Sequence, residues 1–130
     1  MTDINKIYFG VDEFIKQHKK YDTFKLGLVT NDAALTTDGL KSRVALLKAG
    51  LQIKKLFSPE HGINKAGADG VFQGDGIDPI TSLPIVSLYG NNLTISAADL
   101  KDIDAVLFDI PDVGCRFYTY LWTMTHVMEA

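Results

Sequence analysis

Four short runs rich in branched apolar residues punctuate the chain: Lys25–Thr30, Gln52–Ser58, Pro84–Leu88 and Ala105–Ile110. Runs of this length, bounded by turn formers, read as strands buried on both faces. Between the first two, Leu40, Val44, Leu46 and Leu47 fall at helical spacing within Asp38–Gly50, with Lys41, Arg43 and Lys48 on the wet face and Gly50 as the stop. Val11–Lys20 predicts a second helix, with Val11, Phe14 and Ile15 turned inward and a basic end that suits the helix dipole. Ser96–Lys101 predicts a short third helix, with Ser96 as N-cap and Asp99 at the capping-box position. Arg116–Ala130 predicts a fourth, largely buried one, with Phe117, Leu121, Met124 and Met128 on one stripe and Thr119, Thr123, Thr125, His126 and Glu129 toward water. It stops without a glycine, a proline or a basic last turn, so the chain is expected to be a fragment whose apolar stripe favours self-association.

Strands spaced about twenty residues apart, with helices in the gaps, imply parallel neighbours joined by crossovers. The fold class is therefore α/β: a Rossmann-like open parallel sheet with helices on both faces, here part of a larger sheet. Composition agrees with a packed domain, since 46% of the 130 residues are hydrophobic and 22% charged. A net charge of −3 and a pI near 5.5 lack the basic footprint of a nucleic-acid binder. Cys115 is the one cysteine and cannot form an intramolecular disulfide. No run approaches the roughly 18 apolar residues of a membrane span, and the first residues lack a signal-peptide pattern, so the chain as given reads as cytoplasmic, with a periplasmic or secreted location open if the N-terminus was trimmed.

In an open parallel sheet, ligands bind beyond the carboxyl ends of the strands, and here every strand runs into reactive groups. They are Thr30-Asn31-Asp32, Ser58-Pro59-Glu60-His61-Gly62, Tyr89-Gly90-Asn91 and Asp109-Ile110-Pro111-Asp112. Pro59 constrains the chain after its strand and Gly62 releases it, so Glu60 and His61 stand on a backbone of limited freedom. A fixed carboxyl against apolar walls is what general acid catalysis needs. The plain alternative is that Glu60 caps a helix or pairs with Lys65, and that His61 bonds a backbone carbonyl. Asp109 ends a buried strand, while Asp112 precedes a helix that it could simply cap. Arg116 and Tyr118 fall in the first turn of that helix, where either could meet an anionic or sugar ligand. Cys115 has no base beside it and reads as packing. The stretch Gly62–Ile80, with Gly67, Gly70, Gly74 and Gly76 among Asp69, Asp75 and Asp78, reads as a functional or mobile loop.

Nucleotide and hydrolase motifs are missing: there is no Gly-x-Gly-x-x-Gly after the first strand, no P-loop and no Gly-x-Ser-x-Gly. Neither the aspartates nor the three histidines follow calcium or zinc spacing, so no metal or other cofactor is expected.

Taken together, Gly27-Leu-Val-Thr-Asn31, Leu56-Phe-Ser-Pro-Glu-His-Gly62, Leu83-Pro-Ile-Val-Ser-Leu-Tyr-Gly90 and Val106-Leu-Phe-Asp-Ile-Pro-Asp-Val-Gly114, followed by Arg116-Phe-Tyr-Thr-Tyr120, resemble one family. It is the NamZ-type exo-β-N-acetylmuramidases of bacterial peptidoglycan recycling. The resemblance runs from Gly10 to Ala130 and implies that residues 1–130 are an incomplete N-terminal Rossmann-like catalytic domain. It also implies hydrolysis of terminal, non-reducing β-linked N-acetylmuramic acid from muropeptides or related amino sugars, with Glu60 as the acid. Asp109 or Asp112 would be the second carboxylate, unless the substrate's acetamido group serves as nucleophile. Asn31, His61, Arg116 and Tyr118 would hold the sugar, Arg116 meeting the lactyl carboxylate. Pro111 and Cys115 stand where relatives often carry Gln and Ala, and the loop from Lys65 to Asp78 is glycine-rich where relatives carry charges. The competing readings are a non-catalytic Rossmann-like module that binds a sugar or nucleotide, and a metal-dependent hydrolase using His61, Asp109 and Asp112.

Overall fold

An uninterrupted Leu-Gly-Leu-Val-Thr segment can satisfy its backbone and bury both faces at once only in the interior of a sheet. In the computed structural model, which describes residues 7–63 and 74–130, Lys25–Thr30 forms β1 and is buried from Leu26 onward. β2 (Gln52–Ser58) lies parallel on one side of β1, and β5 (Ala105–Asp109) lies parallel on the other. β4 (Pro84–Ser87) extends the parallel set beyond β2. A two-residue strand, β3 (Gly76–Ile77), runs antiparallel to β4, giving the order β3-β4-β2-β1-β5. The four expected strands are present within one residue of their predicted ends. β3 sits in the stretch read as irregular, because two residues carry no periodicity to detect. Lys65, Gly67, Asp69 and Gly70 of that stretch lie outside the described residues.

The faces follow from alternation along the strands. Leu26 and Leu28 of β1 pack with Ile53, Leu56 and Leu46 and with Val11 on one side. Val29 packs with Phe57, Leu88 and Ile95 on the other. The first face is covered by α1 (Gly10–Lys16) and α2 (Ser42–Lys48), and the second by α3 (Ala97–Leu100) and α4 (Tyr120–Glu129). The Ser96 cap is formed as expected, its hydroxyl accepting the Asp99 amide at 3.1 Å.

Several helix expectations differ from the structure. The first helix ends at Lys16, and His18–Lys20 forms a separate 3-10 turn. α2 begins at Ser42 rather than Asp38, because Thr36–Gly39 closes a turn with Gly39 at φ +80° and Leu35 bridges to Lys41. Arg43, placed on the wet face by spacing, is only 1% exposed. It is sequestered because Asp32 and Asp78 answer its charge: Nη1 donates to Asp32 Oδ1 at 2.7 Å and Nε to Asp78 Oδ2 at 2.9 Å. Burial pushes the Asp78 carboxyl up, but hydrogen bonds from Arg43 and Thr81 outweigh it, and the net direction is down.

α4 begins at Tyr120, so Arg116 and Tyr118 stand in the loop before it. The helix is also rotated from the predicted orientation. Tyr120 and Thr123 are buried and Val127 packs on the second core cluster, whereas Phe117, Leu121, Trp122 and Met128 are exposed. Tyr120, Thr123 and Val127 are as regular a helical stripe as the apolar one, and nothing polar on it forbids burial. Thr123 satisfies its hydroxyl on the Thr119 carbonyl at 3.2 Å, so burying it leaves nothing unpaired.

Gly27 explains the glycine in the middle of β1. A Cβ built there would stand 2.8 Å from Cε2 of Phe57, a ring with no exposed surface and so no room to retreat. Gly27→Ala is therefore expected to destabilise the fold by about 1–3 kcal/mol, the usual cost of overpacking a filled core. Urea unfolding followed by circular dichroism checks this, and an unchanged midpoint would refute the packing argument.

Candidate active site

The registers bring all the reactive strand ends to one edge. Thr30 pairs with Asp109 and Ser58 with Ser87, so the loops opening at Asn31, Pro59, Leu88 and Ile110 leave side by side. After β2, the buried Pro59 leads into a four-residue turn closed by the Gly62 amide on the Pro59 carbonyl at 3.0 Å. His61 has φ +71° and Gly62 φ +73°. Gly62 adopts this conformation freely, but a β-carbon makes it costly at His61, on the order of 1–3 kcal/mol, so the surroundings must hold it there.

That turn presents Glu60 and His61 to a cleft of about 450 Å³ whose far wall is Phe117, Tyr118, Thr119 and Tyr120. Glu60 is half-buried, and its Oε2 accepts a hydrogen bond from Thr119 Oγ1 at 2.8 Å. The Tyr89 hydroxyl is also hydrogen-bonded to Glu60; the negative charge of Glu60, then burial and that bond, pushes the phenol up. Hydroxyls from two other loops thus fix one carboxyl.

Tyr120 sits at the centre of the arrangement. Its ring is buried, it meets Tyr118 edge to face at 5.7 Å, and its hydroxyl accepts from Asn31 Nδ2 at 3.3 Å. Burial pushes the Tyr120 phenol up, the Asn31 bond opposes this, and Tyr118, Glu60 and Asp112 add to the rise, so its hydroxyl lies within electrostatic reach of both carboxylates. Asn31 itself is 1% exposed, with its oxygen held by the Ala33 amide at 3.0 Å. It supports Tyr120 through the Nδ2 bond and is not among the lining residues of either cleft.

A second cleft, of about 400 Å³, shares Tyr118 and Tyr120 with the first and holds Asp112, Arg116 and Trp122. Asp112 caps no helix: its Oδ1 takes the Gly114 amide at 2.6 Å in a local turn with Gly114 at φ +74°. Arg116 is exposed here, and so is Cys115, which corrects its reading as packing. Asp109 goes elsewhere. It lines a separate cavity of about 270 Å³ with Val11, Phe14, Leu28 and Leu46 on the α1/α2 face. Its Oδ2 is buried with no partner. The structure therefore groups Glu60, His61 and Tyr118 around one cleft, with Asp112 and Arg116 in the adjoining one, and separates Asp109 from them. Among the described residues, no three His, Cys, Asp or Glu side chains converge to hold a metal ion, and no helix is long and apolar enough to cross a membrane.

Sequence reasoning missed Thr119, Tyr120 and Tyr89. Tyr89 was visible as a strand-end residue, whereas Thr119 reads as water-facing until the helix start moves to Tyr120.

Burial pushes the Asp109 carboxyl up, a hydrogen bond from Ser42 opposes this, and the Asp12 charge reinforces it. A carboxyl whose folded value is raised binds its proton more tightly in the folded state. Its contribution to stability is complete below the ordinary aspartate value and is lost as pH rises through the raised one. Asp109→Asn is accordingly expected to raise Tm at pH 7, with the gain vanishing toward pH 4; thermal melts across that range check it, and a pH-independent difference would refute it.

A family model described as "Exo-beta-N-acetylmuramidase NamZ, N-terminal" matches residues 26–130, from β1 through α4. The peptidoglycan beta-N-acetylmuramidase NamZ of Bacillus subtilis (strain 168) is 42% identical over 128 residues, covering 96% of this chain. This chain spans 31% of that relative's length. A crystal structure of a DUF1343 family protein from Bacteroides fragilis NCTC 9343 matches with a TM-score of 0.80 at 32% identity, over 95% of this chain and 31% of its own. A second DUF1343 protein from the same organism gives 0.72 at 29% identity, over 94% of this chain and 30% of its own. The parallel sheet, the turn that carries Glu60 and the family match across both make the chain a member of the NamZ N-terminal family.

Proposed function

We propose that this chain is the Glu60-bearing part of a catalytic domain that releases terminal, non-reducing β-linked N-acetylmuramic acid from peptidoglycan fragments. The observation that carries this reading is one carboxyl on a strained turn, held by two hydroxyls in an open, aromatic-walled cleft. Glu60 is the general acid, donating its proton to the departing glycosidic oxygen. The cleft suits a sugar: Tyr118 and Phe117 offer flat apolar faces to a pyranose ring, and His61 offers a polar contact beside them.

Asp112 is the better placed of the two candidates for the second carboxylate. It and Glu60 act on the same Tyr120 hydroxyl from adjoining clefts, whereas Asp109 faces the other side of the sheet. Asp112 would guide water or the substrate's acetamido group to the anomeric carbon as the leaving group departs. Arg116, exposed in the same cleft, would pair with the lactyl carboxylate that distinguishes muramic acid from glucosamine. The name of the Bacillus subtilis relative supports this substrate class.

The test uses the full-length protein and a chromogenic β-N-acetylmuraminide. Glu60→Gln is expected to lower kcat by about 10²–10⁴-fold, the usual contribution of a positioned acid, with circular dichroism unchanged. Thr119→Ala is expected to lower it less, because Tyr89 still holds the carboxyl. Turnover by Glu60→Gln at the wild-type rate would sink the acid assignment, and muramic acid binding without turnover at any pH would instead favour a binding module.

A further inference from the structure

The turn that carries Glu60 is closed at one end by its own hydrogen bond and at the other by a neighbouring loop. The Asp32 amide, just past β1, donates to the Ile63 carbonyl at 2.7 Å, one residue beyond the two left-handed positions. Ile63 packs into the first core cluster, and beside the turn lies a cavity of about 140 Å³ whose lining includes Asp32, Arg43, Ser58, Gly62, Ile63 and Asp78. The main-chain bond from Asp32 fixes the residue that follows the costly His61 conformation and its glycine neighbour, and so helps to hold the turn. Asp32 is in turn held by two cations, Arg43 Nη1 at 2.7 Å and Lys41 Nζ at 2.6 Å. Arg43 is anchored to Asp78, which accepts Nε at 2.9 Å and Nη2 at 3.3 Å.

We propose that Arg43 is a positioning residue for Glu60, acting through Asp32 and the Ile63 carbonyl to hold the His61–Gly62 turn. Buried ion pairs are poor stabilisers compared with apolar residues of the same volume, so a guanidinium 1% exposed between two carboxylates needs a geometric reason. The fork of Arg43 supplies it, since its three donating nitrogens lock Asp32 and Asp78 at fixed angles, which an ammonium could not do. The inference rests on Glu60 being the acid, and its test separates the two claims.

Arg43→Lys and Asp32→Asn are compared with Glu60→Gln in the full-length protein by amide hydrogen exchange and by kcat and KM on the chromogenic substrate. Asp32→Asn keeps the main-chain tie but puts an amide N–H against Arg43 or Lys41, so it decides the matter if the lysine variant does not fold. The Asp32 and Gly62 amides are expected to exchange at least about tenfold faster while Leu28 in β1 is unchanged. In parallel, kcat is expected to fall about tenfold or more with KM nearly constant, the effect of a displaced acid rather than a lost binding contact. Unchanged exchange at Asp32 and Gly62 overturns the proposal. So does faster exchange with kcat intact while Glu60→Gln abolishes turnover. If Glu60→Gln turns over normally, the acid reading is what fails, and the exchange rates alone judge the brace.

Discussion

A guanidinium with 1% of its surface exposed can persist only if its charge and its donors are answered from within the fold. Arg43 meets that demand with Asp32 from the loop after β1 and Asp78 from the loop after β3, two segments that share no strand pairing. Lys41 supplies a second positive charge to Asp32, so two cations face two carboxylates and the cluster is neutral. The consequence reaches the cleft, because the same Asp32 carries the main-chain bond that ends the Glu60 turn.

Seen from the cleft, the parallel sheet acts as an alignment device. Matching registers deliver four strand ends to one edge, and each contributes through a different chemical group. β2 gives the carboxyl of Glu60, the loop after β4 gives the Tyr89 hydroxyl, and β1 gives Asn31, which is buried under Tyr120. The segment after β5 supplies the opposite wall, Phe117 through Tyr120. Glu60 thus gains partners that lie 29 and 59 positions away in the sequence, which is why no local motif displays them. Tyr120 joins the two clefts, lining both, with its hydroxyl held by Asn31.

The strands were legible because each is a short apolar run of strand length, and the crossover spacing made them parallel; β1 is buried from Leu26 onward, whereas β5 is only half-buried. The Pro59–Gly62 turn was legible because proline restricts the backbone at its start and glycine permits the left-handed conformation at its end. α4 was not, because two stripes compete on one helix. Spacing favours Phe117, Leu121, Met124 and Met128, yet the helix packs through Tyr120, Thr123 and Val127. Arg43 was misplaced for the same reason: helical spacing assigns a charged residue to water unless counter-charges arrive from far along the chain.

The sequence by itself determined what short-range physics can specify: a parallel α/β sheet, four strand ends rich in polar groups, and a constrained carboxyl at Glu60. Tertiary structure decided which of these groups meet. It sent Asp109 to the far face of the sheet, because alternation along β5 sets it with Leu107 rather than with Phe108. It placed Tyr89 and Thr119 on Glu60 and sealed Arg43 between two aspartates. The burial of Asp109 and of Arg43 depends on the desolvation of a polar group, whose cost is set by the atoms that finally surround it and not by its neighbours in sequence.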